Sequence, residues 1–255
     1  MTNQKTSKSF VSRVKQIKTE QGVVVAVLVD DNFTKGEADE HIKQGLGVAE
    51  IRIDLFKNTG LGHIKKEIAK FSNVPTLVTI RKKIDGGNWD KPEAERTSLI
   101  RSLAEIVDAV DVELSEPESL KLLSPILRGC NCDLIASYHN FDKTPSMNDL
   151  LELIEQAKSA NASAVKIACM VQDEHDCARL AALFHCEREI PLIIIAMGPL
   201  GMHSRISFPA LGSLVTYSPS DKIPAAYGQI SFSDMIKILK VVYPNFYCQD
   251  LISSS

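Results

Sequence analysis

Val48-Ala49-Glu50-Ile51-Arg52-Ile53-Asp54 is apolar at its start and then alternates charged with aliphatic side chains. Successive strand residues point to opposite faces, so residues two apart share one. One face of this strand therefore carries Glu50, Arg52 and Asp54, and the other carries Ile51 and Ile53. An apolar face must be covered by other apolar groups, which here means helices. The three charged side chains are then sent to the opposite side.

Working outward from that segment, similar strand patterns fall at residues 23–29, 75–81, 109–114, 133–138, 162–168, 191–196 and 213–217. Helical periodicity fills residues 37–44, 63–71, 92–106, 116–127, 146–159, 174–187 and, after the last strand, 232–242. The seventh connection, around residues 202–209, reads as too short for a full helix. Strands alternating with helices pair in parallel, and eight such units predict a closed (β/α)8 TIM barrel. An open doubly wound sheet is the alternative, but no G-x-G-x-x-G follows the first strand. In a barrel, the charged face of residues 48–54 lines the lumen.

The 255 residues are 44% hydrophobic and 24% charged, an ordinary globular balance that supports one domain over residues 1–255 with a large core. A net charge of −3 argues against general nucleic-acid affinity. No apolar run is long enough to cross a bilayer, so no membrane partner is expected. Six cysteines form no paired framework and no secretory segment is read, so a cytoplasmic protein is expected. Cys130-Asn131-Cys132 is too tight for a zinc knuckle and has no matching second pair; no metal is expected. The basic first eighteen residues (Lys5, Lys8, Arg13, Lys15, Lys18) are read as a frayed start rather than a transit peptide. Within the extension of residues 1–21, residues 10–18 are expected to form a hairpin closing the bottom of the barrel.

Three further strands place ionisable side chains inward. Asp111 and Glu113 share a face opposite Val110, Val112 and Leu114. His139 is in register with Ser137 and Ile135, and Lys166 lies between Ala164 and Ala168 on its face. Any one of these, taken alone, is equally well read as a satisfied core ion pair. Gathered in one lumen they indicate a site, because buried charge is costly unless it is paired or used. The alanines leave room before the Lys166 amine, and burial disfavours a charged amine. A neutral amine attacks carbonyls to form an imine, an electron sink. His139 is placed to move protons. Arg52, Arg81 and Arg205 are candidates for gripping an anionic, carboxylate-bearing substrate.

Asp111-Val112-Glu113-Leu114 followed by Leu134-Ile135-Ala136-Ser137-Tyr138-His139-Asn140 resembles the active-site signature of type I 3-dehydroquinate dehydratases. The likeness continues, in order, through Glu50-Ile51-Arg52-Ile53-Asp54, Thr79-Ile80-Arg81, Val165-Lys166-Ile167-Ala168, Met197-Gly198, Ser204-Arg205, Gly212-Ser213 and Gly228-Gln229. It implies conversion of the substrate 3-dehydroquinate to 3-dehydroshikimate in the shikimate pathway, with no cofactor and no metal. It also implies that Lys166 forms the imine with the ring ketone. His139 would remove the adjacent proton and then protonate the departing hydroxyl. Glu50, Arg52, Arg81, Arg205 and Gln229 would bind substrate, with Asp111 and Glu113 orienting the catalytic pair from behind. Asp85 stands, in a supporting role, where the family usually has a Glu before two glycines. Ala225-Ala226-Tyr227-Gly228-Gln229 stands where the family's lid usually reads Ser-Ala-Pro-Gly-Gln. Both departures bear on how tightly a loop closes, not on which reaction occurs. A homodimer is expected, although no residue pattern fixes it. The competing readings are a Schiff-base aldolase-type lyase on another keto acid and a non-catalytic barrel that binds a shikimate-like ligand.

Overall fold

The computed structural model describes residues 9–187, 189–222 and 228–246. Eight strands lie in one sheet: β1 (Val25–Val29), β2 (Leu46–Arg52), β3 (Thr76–Thr79), β4 (Ala109–Glu113), β5 (Asp133–Asn140), β6 (Ala164–Met170), β7 (Leu192–Met197) and β8 (Thr216–Pro219). Every neighbouring pair is parallel, in the order β7-β6-β5-β4-β3-β2-β1-β8. The remaining seam, between β7 and β8, carries no ladder. It is bridged just before β8, where Leu214 N donates to Leu192 O at 2.8 Å and Ile194 N to Ser213 Oγ at 3.3 Å. The result is the expected (β/α)8 barrel.

The outer helices are α2 (Lys35–Gln44), α3 (Leu61–Ala69), α4 (Glu93–Leu103), α5 (Pro117–Gly129), α6 (Met147–Ser159), α7 (Glu174–Cys186), α8 (Ser204–Leu211) and α9 (Phe232–Val242). Their starts follow local chemistry. Thr34 and Glu37 form a capping box on α2, Ser146 and Asp149 another on α6, and Pro117 opens α5. Their apolar sides meet the outward strand residues, including Ile51, Ile53, Val110, Val112, Val165 and Ile167, in the larger core.

Two expectations are corrected. Residues 10–18 belong to a helix, α1 (Phe10–Gln21), not to a hairpin. Ser9 caps it by accepting from Ser12 N, and Gly22, at φ 81°, ends it. Phe10 and Val14, one helical turn apart, enter a second apolar cluster with Val24, Val48, Leu77, Ala109, Ile135, Ala164 and Ile193. That cluster fills the lumen near the N-terminal strand ends, so the plug is a helix. The Arg13–Asp108 ion pair at 2.7 Å and Val11 N donating to Asp133 Oδ2 at 2.8 Å fasten it there. The seventh connection does form a helix, α8, of two turns. Pro209 inside it cannot donate to the carbonyl of Arg205, four residues earlier. Thr216 Oγ1 donates to that carbonyl instead, at 2.7 Å.

Candidate active site at the C-terminal end of the barrel

Above the apolar plug the lumen becomes polar. Thr79 and Asp111 are register partners on β3 and β4, Glu113 and Ser137 on β4 and β5, Ser137 and Lys166 on β5 and β6. Strand parity thus brings these side chains into the lumen on two successive levels, Thr79 with Asp111 and then Glu113 with Ser137 and Lys166, and His139, opposite Ala168, sits one pleat nearer the C-terminal end than Ser137. Barrel active sites are built at that end.

Lys166 is buried, and its Nζ lies 3.3 Å from Glu50 Oε1 and 3.4 Å from Asp111 Oδ2. The amine also sits 4.4 Å from the ring centroid of Tyr217, over the face of the phenol. The space left by Ala164 and Ala168 is therefore bounded by two carboxylates and an aromatic ring. Glu50 Oε1 also accepts from Thr79 Oγ1 at 2.6 Å, which fixes its carboxylate.

Asp111 and Glu113 hold Arg81. Its Nη2 is 2.8 Å from Asp111 Oδ1, while Nη1 contacts Glu113 and donates to Ser137 Oγ at 3.1 Å. Ser137 Oγ donates in turn to Asp111 Oδ1 at 2.6 Å. Burial pushes the Asp111 carboxyl up, but Arg81, Lys166 and His139 outweigh it and hold the group below the usual carboxylate range. His139 Nδ1 approaches Glu113 Oε1 to 2.7 Å, off the line of a hydrogen bond. Burial first, then Arg81 and Lys166, push the imidazole well below its ordinary value against the pull of Asp111. The ring stacks on Phe141 with centroids 6.2 Å apart.

Phe141 also covers the turn after β3. A Cβ added to Gly86, at φ 81°, would fall 2.6 Å from Phe141 Cζ, and one on Gly87 would fall 2.2 Å from Arg81 O. Only paired glycines let this turn lie so close to the strand end that carries Arg81. Asp85, just before them, makes no hydrogen bond to the Lys166–His139 group. Its Oδ2 is buried without a partner among the described residues, and its pKa is raised by burial against the pull of Arg81 and Arg96.

The model of the type I 3-dehydroquinase family matches residues 23–245. The chain belongs to that family. A 3-dehydroquinate dehydratase from Methanocella arvoryzae is 36% identical over 209 residues, covering 82% of this chain and 93% of that protein. The crystal structure of 3-dehydroquinate dehydratase from Geobacillus kaustophilus superposes with a TM-score of 0.77 at 29% identity, covering 86% of this chain and 90% of that one. The enzyme of the same name from Aquifex aeolicus gives 0.76 at 29%, covering 87% and 99%.

In this family member the three candidate arginines separate into two kinds. Arg52 is bidentate on Asp54, with Nε 2.9 Å from Oδ1 and Nη2 2.7 Å from Oδ2, and Arg81 is committed to Asp111, Glu113 and Ser137. Arg205 is buried at the start of α8. Among the described residues it donates only to carbonyls, Nε to Gly228 O at 3.3 Å and Nη1 to Tyr217 O at 3.1 Å. Burial lowers its pKa to about 10, so it is cationic at neutral pH with no carboxylate against it among the described residues. Gln229 follows Gly228 at the same rim and is half-buried. Residues 225–227 of the expected lid lie outside the described residues.

Thr79, Ser137 and Tyr217 were not assigned roles from the sequence. For the first two the signal is parity, since each shares the inward face of its strand. Tyr217 has the parity of Val215, and both join the lumen cluster.

Proposed function

We propose that this member of the type I 3-dehydroquinase family removes water from 3-dehydroquinate through an imine on Lys166. The observation that carries the reading is the buried lumen amine of Lys166, the one such amine among the described residues, flanked by Glu50 and Asp111, with His139 one pleat away on the adjoining strand. Before attack the ammonium sheds a proton, and Glu50 at 3.3 Å is the available acceptor, because Asp111 is held ionised. The amine adds to the ring ketone and the ketone oxygen leaves as water. The resulting iminium keeps its positive charge where two carboxylates and the Tyr217 ring face favour it.

His139 then takes the proton next to the iminium carbon, and the electron pair moves toward nitrogen. The carboxylate of Glu113 beside Nδ1 favours the tautomer protonated there, leaving Nε2 as the base. Electrons returning from the enamine expel the hydroxyl, which leaves as water with the proton His139 had taken. A second water releases 3-dehydroshikimate and restores the amine. Arg205, with no opposing carboxylate, is the group we assign to the substrate carboxylate, with Gln229 beside it. Arg52 and Glu50 hold ring hydroxyls. Arg81 binds substrate from within its Asp111–Glu113 network, which orients the Lys166–His139 pair, and Asp85 supports that network by charge alone.

The same reading takes residues 1–255 as one catalytic domain in the cytoplasm, a compartment that suits the unbridged thiols of Cys169, Cys177 and Cys186. No described helix is long and apolar enough to cross a membrane. Homodimerisation belongs to the proposal through the family likeness alone.

Borohydride added with 3-dehydroquinate tests the chemistry. Reduction of the imine is expected to inactivate the enzyme and add mass at Lys166 only. Lys82 and Lys222 are the alternatives to watch, and both are already engaged, Lys82 by Glu116 and Lys222 by Glu37. Mass on either one, with Lys166 unmodified, rejects the assignment.

A further inference from the structure

Two polar atoms beside the Lys166 amine have lost water without gaining a partner among the described residues: the hydroxyl of Tyr217 and Oε2 of Glu50. Tyr217 is 5% exposed and Glu50 1%. Both residues touch the same amine, Glu50 through Oε1 at 3.3 Å and Tyr217 through its ring face at 4.4 Å. Folded proteins leave few buried polar groups unpaired, and those they do leave call for an explanation. The phenol remains a donor, because burial, with Glu50 and Asp111, pushes its pKa well above the ordinary value. Glu50 Oε2 is an acceptor. A donor and an acceptor on two residues that flank one amine match a ligand hydroxyl, which accepts one hydrogen bond and donates another.

We propose that Tyr217 is a substrate-contacting residue: its hydroxyl donates to a hydroxyl of the bound substrate, Glu50 Oε2 accepts from the same group, and its ring face seats the Lys166 amine. Its place in β8 suits this double task. Ala26 is its register partner on β1, so nothing bulky crowds the ring from that side, and its carbonyl takes Arg205 Nη1 at 3.1 Å. One residue thereby links the amine to the arginine assigned to the carboxylate. The contact fixes the distance between the two ends of the substrate and selects for a hydroxylated ring over a flat or deoxygenated one.

The inference rests on the reading that places substrate over Lys166, and the two fail separately. Borohydride labelling of the unaltered enzyme tests the imine; kinetics of Tyr217→Phe test the hydroxyl contact. In Tyr217→Phe the ring persists and the hydroxyl is gone. We expect KM for 3-dehydroquinate to rise about 3- to 10-fold, as for one lost hydrogen bond, with kcat within about twofold and labelling at Lys166 retained. The melting temperature of the ligand-free protein should not fall, since the hydroxyl has no partner there to lose. A structural role would lower the melting temperature, which KM alone does not reveal. Tyr217→Leu removes the ring as well, and kcat should then fall too. KM unchanged in Tyr217→Phe overturns the proposal, as does a lowered melting temperature in that variant.

Discussion

His139 is deprived of the proton it would carry in mildly acidic water, and its neighbours explain why. Burial and the cations Arg81 and Lys166 disfavour imidazolium, and Asp111 only partly opposes them. An imidazole with a lowered pKa stays neutral as pH falls through 6.5. The acid limb of the kcat/KM profile, measured from about pH 5 to 8, is therefore expected below 6.5, and a limb at or above 6.5 would place the base elsewhere. Stability follows the same sign. Below 6.5 the unfolded chain binds a proton that the fold resists, so folding weakens as pH drops from 6.5 toward the lowered value. Asp111, next door, is lowered as well, so its contribution to stability is also lost as pH falls toward its lowered value. Asp111 stays ionised because Arg81 and Lys166 are present, so a neutral base and a charged carboxylate coexist in one lumen.

At the scale of elements, the two ends of the barrel do different work. Pro209 breaks the hydrogen-bond ladder of α8, Thr216 of β8 takes up the freed Arg205 carbonyl, and Arg205 then reaches back to Tyr217 and Gly228. Close backbone approach matters at the same rim, where a Cβ on Gly228 would lie 2.5 Å from the carbonyl carbon of Gly198. At the opposite end α1 closes the lumen with Phe10 and Val14. Phe10 is 1% exposed, and Phe10→Ala is expected to cost about 3–5 kcal/mol of stability while leaving kcat near that of the unaltered enzyme. Denaturant unfolding with parallel rate measurements checks this. A large loss of kcat in folded Phe10→Ala would mean that the plug is coupled to the site.

At the scale of the whole molecule, the ionisable groups of the lumen contact one another: Lys166 meets Glu50 and Asp111, Arg81 meets Asp111 and Glu113, and His139 meets Glu113. Among the described residues no three His, Cys, Asp or Glu side chains converge as a metal-ligand set. The proposed iminium supplies the electrophile that a metal would otherwise provide. Treatment with EDTA is therefore expected to leave the dehydration rate unchanged. Loss of rate that a divalent ion restores would reject the imine route.

The alternation in residues 48–54 and the placement of Asp111, Glu113, Ser137, His139 and Lys166 were legible without coordinates, because strand parity is local and helices must cover the apolar face. The helix at residues 10–21, expected as a hairpin, also has a local signal, since Ser9 precedes Phe10 and Val14 at helical spacing. The short helix at residues 204–211 was hidden because Pro209 forbids a local bond that a distant threonine replaces. Alternation and spacing in the sequence by themselves determined the barrel and the inward faces of its strands, while the family came from the resemblance of its motifs. Only the tertiary structure decided which arginines are already paired, that a phenol lies under the lysine, and which polar atoms there lack partners. Apart from the local Arg52–Asp54 pair, those facts depend on distances between side chains tens of residues apart, which no local pattern encodes.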